Sequence, residues 1–147
     1  MLSTIDLINI INNDHLTKEI FKGVFARDQL PIIETTPACF ILNTDPITKE
    51  GEHWLAFYID KDYHCNFFDS YGNPPSKFKL DAYLNKNFKS WTYNNIQLQG
   101  LSSYCGYYAA LFILYAARNK TRDYYLEFNN YPNLNDQKLT LLIKKFS

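Results

Sequence analysis

A globular fold built from both helices and strands is predicted by three observations. The first is the apolar run from Tyr107 to Ala117, which contains no proline, no glycine and no charge before Arg118. Such a run reads as a helix buried on most of its surface. The second is a pair of aromatic segments, 53–59 and 63–69, flanking the charged tip Asp60-Lys61-Asp62. β-formers around a short polar loop are a hairpin signal. The third is Ala38 to Asn43, an apolar segment of strand length bounded by Pro37 and by Asp45-Pro46.

The remaining elements are read in chain order. Leu2, Ile5, Leu7, Ile8, Ile10 and Ile11 recur at roughly helical spacing after Ser3 or Thr4, either of which is a suitable cap. That predicts a short helix to about Asn12. Leu16 to Val24 reads as a further turn or two of helix, and Arg27 to Pro31 as a loop. If the hairpin tip is a three-residue loop, residues 59 and 63 pair and His53 falls opposite Asp69. A one-residue slip would put that pair on opposite faces. His64 alternates out of phase with it and reads as a surface residue. Asp69 to Pro75 is a loop. Phe78, Leu80, Tyr83, Leu84 and Phe88 suggest an amphipathic helix from about Ser76 to Asn87. Asn94 to Gln99 alternates apolar and polar, as a strand does. Asn129 to Asp136 is loop-like, and Leu139, Leu141, Leu142 and Ile143 suggest a short closing helix.

The long apolar helix begins at Cys105, preceded by Ser102 and Ser103, either of which is a candidate cap. Arg118 and Lys120 stand at its end, where the helix dipole favours cations. A helix N-terminus favours the thiolate, the reactive form of a cysteine. The plainer reading of Cys105 is a small buried hydrophobe. Its company argues otherwise. His53 heads a strand and has the chemistry of a general base. Asp69 has the chemistry to hold an imidazole tautomer. Gln99, six positions before Cys105, carries an amide suited to an oxyanion. Acyl transfer uses this set: a thiolate attacks a carbonyl, an imidazolium protonates the leaving amine, and N–H donors stabilise the oxyanion. The backbone N–H of Cys105 is the expected second donor, and Gly106 keeps bulk away from the sulfur. Each residue has a structural reading too: a hydrogen-bonded strand-end histidine, a turn aspartate, a loop glutamine. The combination in the order His, Asp, Gln, Cys is narrower than its members.

A length of 147 residues suits one domain, and no linker, repeat or composition shift divides it, so 1–147 is expected to form a single domain. Hydrophobic residues make up 46% of the chain, which excludes a disordered class. Fifteen basic and fifteen acidic residues cancel, so no global field steers the protein onto nucleic acid. Three widely spaced cysteines make neither a disulfide framework nor a zinc pattern, and no metal is expected. Free thiols fit a reducing, intracellular compartment. No run is long enough to span a bilayer, and no secretory signal is expected.

These residues and their spacing resemble the adenovirus-type cysteine endopeptidases (adenain), which share a superfamily with the SUMO and ubiquitin-like-protein proteases. The resemblance rests on Gly51-Glu52-His53-Trp54-Leu55-Ala56-Phe57, on Phe68-Asp69-Ser70-Tyr71-Gly72, and on Gln99-Gly100 through Cys105-Gly106. Ala38-Cys39 through Asn43-Thr44 and Asn133-Leu134-Asn135 are similar to the flanks. The resemblance implies an α+β, papain-like fold with a mixed sheet against the helix bearing the nucleophile. It implies His53, Asp69 and Cys105 as catalytic residues, with Gln99 and Cys105 as oxyanion donors. It implies a protein substrate, a viral precursor cut beside small residues, often Gly, and a place in the host cytoplasm or nucleus or in the virion.

The resemblance also implies activation by a disulfide-linked peptide and by DNA, and here the sequence departs from the pattern. No cysteine lies between Pro74 and Gln99, where the matching thiol is expected. Lys77, Lys79, Lys86 and Lys89 offer a local basic patch, but a solvated helix face is the favoured reading of them. The chain is short for the family. The gap from Gln99 to Cys105 is one residue shorter than in adenain and closer to the SUMO proteases. Ubiquitin- or SUMO-specific proteolysis is therefore the alternative activity, and a catalytically idle peptide-binding domain is a third reading.

Overall fold

The computed structural model describes residues 3–44 and 53–146. Gly51 and Glu52, which open the first motif, lie outside them, as do Asp45 and Pro46. The protein is α+β, with one five-stranded mixed sheet between two helical layers. Helix α1 (Thr4–Asn12) begins on a reciprocal cap, in which Ser3 Oγ accepts from Asp6 N–H and Asp6 accepts from Ser3 N–H. Of the two candidate caps, Ser3 therefore occupies the position.

Strand β1 (Phe21–Ala26) stands where further helical turns are expected. Lys22 and Gly23 obscure its pattern, and the ladder slips between Phe21 and Val24. β1 runs parallel to β2 (Ala38–Asn43), which is antiparallel to β3 (Trp54–Ile59). β3 is antiparallel to β4 (His64–Phe68), and β4 is parallel to β5 (Ser90–Tyr93). Every residue of β3 is buried, because this middle strand is covered on both faces.

On one face Cys39, Ile41, Trp54, Ala56, Tyr58 and Phe68 meet α3 (Cys105–Ala116) and α1. On the other, Phe40, Leu55, Phe57 and Phe67 meet Leu80, Leu84 and Phe88, the latter three in and around α2 (Asp81–Asn87). The expected helix over 76–87 is thus two pieces. A 3₁₀ turn over Pro75–Phe78 stops at Lys79, which adopts a left-handed backbone at φ +58°.

The expected strand over 94–99 is not formed; the strand lies just upstream, at Ser90–Tyr93. The Asn94 side chain accepts from Asp69 N–H and donates to the carbonyls of Asp69 and Ile96, drawing this segment out of the ladder. After α3 come α4 (Thr121–Leu126) and α5 (Pro132–Ile143). The expected loop over 129–136 is therefore short. Proline at the first helical positions starts α5, where a missing N–H costs nothing.

Helix α3 is apolar all round because β3, β2, α1, α4 and α5 all pack on it. Its end follows the dipole: Arg118 donates to the Leu114 carbonyl at 2.7 Å and pairs with Asp14. Among the described residues, no helix is long and apolar enough to cross a membrane. Phe112 is fully buried and stacks on Phe68, ring centroids 4.8 Å apart. Phe112→Ala is expected to destabilise the fold by about 3–5 kcal/mol, since a core cavity adds to the lost transfer energy. Urea unfolding measures this, and a loss below about 1 kcal/mol would show that α3 is not the centre of the core.

Candidate active site

The hairpin decides whether histidine meets carboxylate. Ile59 pairs with Cys65, not with Tyr63. The loop residues are Lys61, Asp62 and Tyr63, bracketed by the bond from Asp60 N–H to the His64 carbonyl, 3.0 Å. The Asp60 carboxylate accepts from the N–H groups of Asp62 and His64, and Tyr63 takes a left-handed φ of +61°. That is a three-residue hairpin turn fixed by an aspartate side chain. The register therefore differs from the expected one by two residues.

Side chains alternate with a period of two, so this shift keeps His53 and Asp69 on one face. They are no longer direct opposites, yet their side chains still meet. Tyr71, in the turn after β4, lays its ring on His53, the two centroids 5.4 Å apart. Phe78 also stacks on the imidazole, at 6.0 Å. His64, half-buried, lies across from β5, with its ring nitrogens on Ser90 Oγ and Thr92 Oγ1.

Nε2 of His53 lies 2.6 Å from Oδ1 of Asp69, whose side chain has no exposed surface. The carboxylate also accepts from Tyr71 N–H at 3.2 Å and Asn73 N–H at 3.0 Å. These bonds are possible because the chain turns sharply here, with Gly72 N–H on the Asp69 carbonyl. Gly72 has φ +75°, and a Cβ there would lie 2.6 Å from the Ile96 carbonyl carbon. Only glycine fits that position. Burial pushes the Asp69 carboxyl up, but its bonds to His53 and to the two backbone N–H groups outweigh burial and hold it below the usual range.

Burial likewise opposes a charge on His53. The hydrogen bond to Asp69, a hydrogen bond to Cys105 and the charges of both partners prevail, raising His53 to about 9. Nε2 is committed to Asp69, so Nδ1 is the ring nitrogen left for the Cys105 thiol.

Cys105 is the first residue of α3. Neither candidate serine caps the helix: the cap position is Tyr104, which makes no side-chain capping bond. Ser102 Oγ accepts instead from Tyr104 N–H, one step too early. The first turn of α3 is therefore without a side-chain cap, and Cys105 at its start lines the cleft. Gln99 is almost fully buried behind it. Ser70 Oγ donates to Gln99 Oε1 at 2.6 Å, and Gln99 Nε2 donates to the Ser102 carbonyl at 2.8 Å. These two bonds fix which way the amide points. One Nε2 hydrogen remains for the cleft.

His53, Gln99 and Cys105 line one open cleft of about 360 Å³ with Tyr71, Asn73, Lys77, Phe78, Ser102 and Ser103. All four residues singled out in the sequence thus converge. Cys39 and Cys65 do not: both are buried in the core, and burial raises both thiols. Sequence reasoning missed Ser70, which orients Gln99, and Phe78, which packs on His53. Ser70 reads as an ordinary turn residue, and Phe78 as one more apolar position of a helix.

No protein-family model and no curated protein sequence matches the chain. Solved structures do. The ASFV pS273R protease is 25% identical with a TM-score of 0.46, over 74% of this chain and 44% of that one. The C-terminal Ulp1 protease domain, in complex with Smt3, the yeast ortholog of SUMO, is 18% identical with a TM-score of 0.41, over 74% and 52%. The central domain of Lpg1148 from Legionella pneumophila is 13% identical with a TM-score of 0.45, over 86% of each chain. This chain spans about half the length of the first two.

A folded-state pKa above the ordinary value of about 6.5 means that protonated His53 stabilises the fold. That contribution is full below about pH 6.5 and is lost as pH rises through about 9. Asp69 acts in the opposite sense: its depressed value stabilises above the ordinary carboxylate range and is lost on acidification. NMR titration of the imidazole is expected to give a midpoint near 9 in the native protein and a clearly lower one in Asp69→Asn. An unchanged midpoint would show that Asp69 does not hold the proton on His53.

Proposed function

We propose that this protein is a cysteine-type endopeptidase, with Cys105 as nucleophile, His53 as general acid and base, and Asp69 as the group that orients the imidazole. Gln99 Nε2 and the backbone N–H of Cys105 are the proposed oxyanion donors. The observation that supports this reading best is the imidazole shared between a buried carboxylate and a thiol at an uncapped helix start.

The reaction follows from these positions. The Cys105 thiolate bonds the carbonyl carbon of the scissile peptide, and the π electron pair moves onto oxygen. The two N–H groups take up that charge; removing one such donor typically costs about 3–4 kcal/mol. The oxyanion collapses, the C–N bond breaks, and protonated His53 gives its proton to the leaving amine. Neutral His53 then takes a proton from water, whose oxygen attacks the thioester, and the thiolate departs. Asp69 stabilises the imidazolium at each stage without itself becoming protonated.

The proposed substrates are viral precursor proteins cut at small residues, as the motif resemblance implies. The short Gln99-to-Cys105 gap supports a second reading, cleavage after the Gly-Gly end of a ubiquitin- or SUMO-like protein. Nothing in the chemistry requires an activating peptide, DNA or metal.

Cys105→Ala and His53→Ala are expected to lower turnover by about 10⁴-fold or more, and Asp69→Asn by less. Cys39→Ser is expected to retain the rate, and iodoacetamide to label Cys105. Equal losses from Cys39→Ser and Cys105→Ser in folded protein would identify the wrong thiol. A panel of ubiquitin and SUMO C-terminal fluorogenic probes against short Gly-containing peptides separates the two substrate readings. Turnover of the ubiquitin-like probes alone would displace precursor maturation.

A further inference from the structure

The segment that carries Gln99 is held by a helix that the reaction does not use. Both oxygens of Asp136, in the first half of α5, accept from Gly100 N–H at 3.1 Å. The same carboxylate accepts from Tyr108 Oη at 2.7 Å, which ties it to the catalytic helix α3. Asn133 Oδ1 accepts from Leu101 N–H at 3.1 Å, and Asn135 Nδ2 donates to the Leu98 carbonyl at 3.1 Å. Asp136 and Asn135 are both buried, at 7% and 1% exposed.

The fit also excludes a side chain at residue 100. A Cβ on Gly100 would lie 2.2 Å from Asn133 Oδ1 and 2.8 Å from the Asn133 backbone nitrogen. Glycine is thus needed here for close approach, since helix and loop meet backbone to backbone. Gln99 itself is anchored on the other side, by Ser70.

We propose that Asn133, Asn135 and Asp136 form a clamp that positions the Gln99 amide for oxyanion stabilisation, with Asp136 as its principal positioning residue. This rests on the peptidase reading above and adds α5 to the machinery, although no α5 side chain touches the reacting atoms. A buried carboxylate accepting from two separate elements fixes their spacing. Asparagine at 136 would keep the volume but turn an N–H group toward one of the donors.

Two reactions at the same sulfur separate the clamp from general damage. Hydrolysis of a Gly-Gly-terminated peptide methylcoumarin amide forms an oxyanion. Alkylation of Cys105 by iodoacetamide needs the thiolate but displaces iodide and forms none. Asp136→Asn is expected to lower kcat by about tenfold or more, because sub-ångström misplacement of a donor is costly, while KM stays within about twofold. The alkylation rate and its pH profile are expected to match those of the native protein. Gly100→Ala attacks the same contact from the loop side and is expected to give the same division. It serves as the second variant should Asp136→Asn fail to fold.

Native kcat in either folded variant would overturn the clamp and leave the peptidase reading standing. So would alkylation falling in step with turnover. A native protein that neither hydrolyses the amide nor alkylates at Cys105 in a His53-dependent manner would instead sink the peptidase reading, and the clamp with it.

Discussion

A fully buried carboxylate is the constraint on which the site depends. Asp69 has no exposed surface, and an ionised group so placed must have its lone pairs filled. The fold supplies Tyr71 N–H, Asn73 N–H and His53 Nε2. The first two require the tight turn at Gly72, and the third requires β3 and β4 in one particular register. Once those are in place, the imidazole is oriented, and its bonds and partners favour the charged form. Asn94 secures the backbone of the same residue from the far side, so the carboxylate cannot withdraw without disrupting the route to Gln99.

The start of α3 complements this. Helices usually satisfy their first N–H groups with a cap. Here two serines stand nearby and neither is used that way. Ser102 is occupied in shaping the loop, its hydroxyl on Tyr104 N–H and its carbonyl on Gln99. The helix start carries no side-chain cap, and its first residue, Cys105, lines the open cleft. On the proposed peptidase reading, a helix end left without a side-chain cap is suited to developing negative charge.

The elements legible from sequence were those whose pattern coincides with their burial. Residues 38–42 are apolar and all buried, and in 105–116 every residue but Tyr107 and Tyr115 is buried. β1 and β5 were illegible for opposite reasons. β1 is interrupted by Lys22 and Gly23, and its ladder slips there. β5 is a short edge strand of mostly exposed residues, with no apolar face to announce it. The alternation over 94–99 imitated a strand until the Asn94 amide competed for the backbone. At the site, residue types and order were readable, and the fold brings those four residues together. The hairpin register was not, because the Asp60 side chain moved the loop one residue along. The contacts of α5 were not readable either, since asparagine and aspartate after a proline resemble any loop.

The dispersal of the reacting groups along the chain has a consequence for synthesis. The imidazole comes from the start of β3, the carboxylate from the end of β4 and the sulfur from α3; α5 braces the amide only later. A nascent chain emerging from the ribosome holds a thiol without its imidazole partner until the sheet closes on α3. On the proposed peptidase reading, hydrolysis therefore requires the sheet packed on α3, and a chain short of that packing keeps its thiol and imidazole apart.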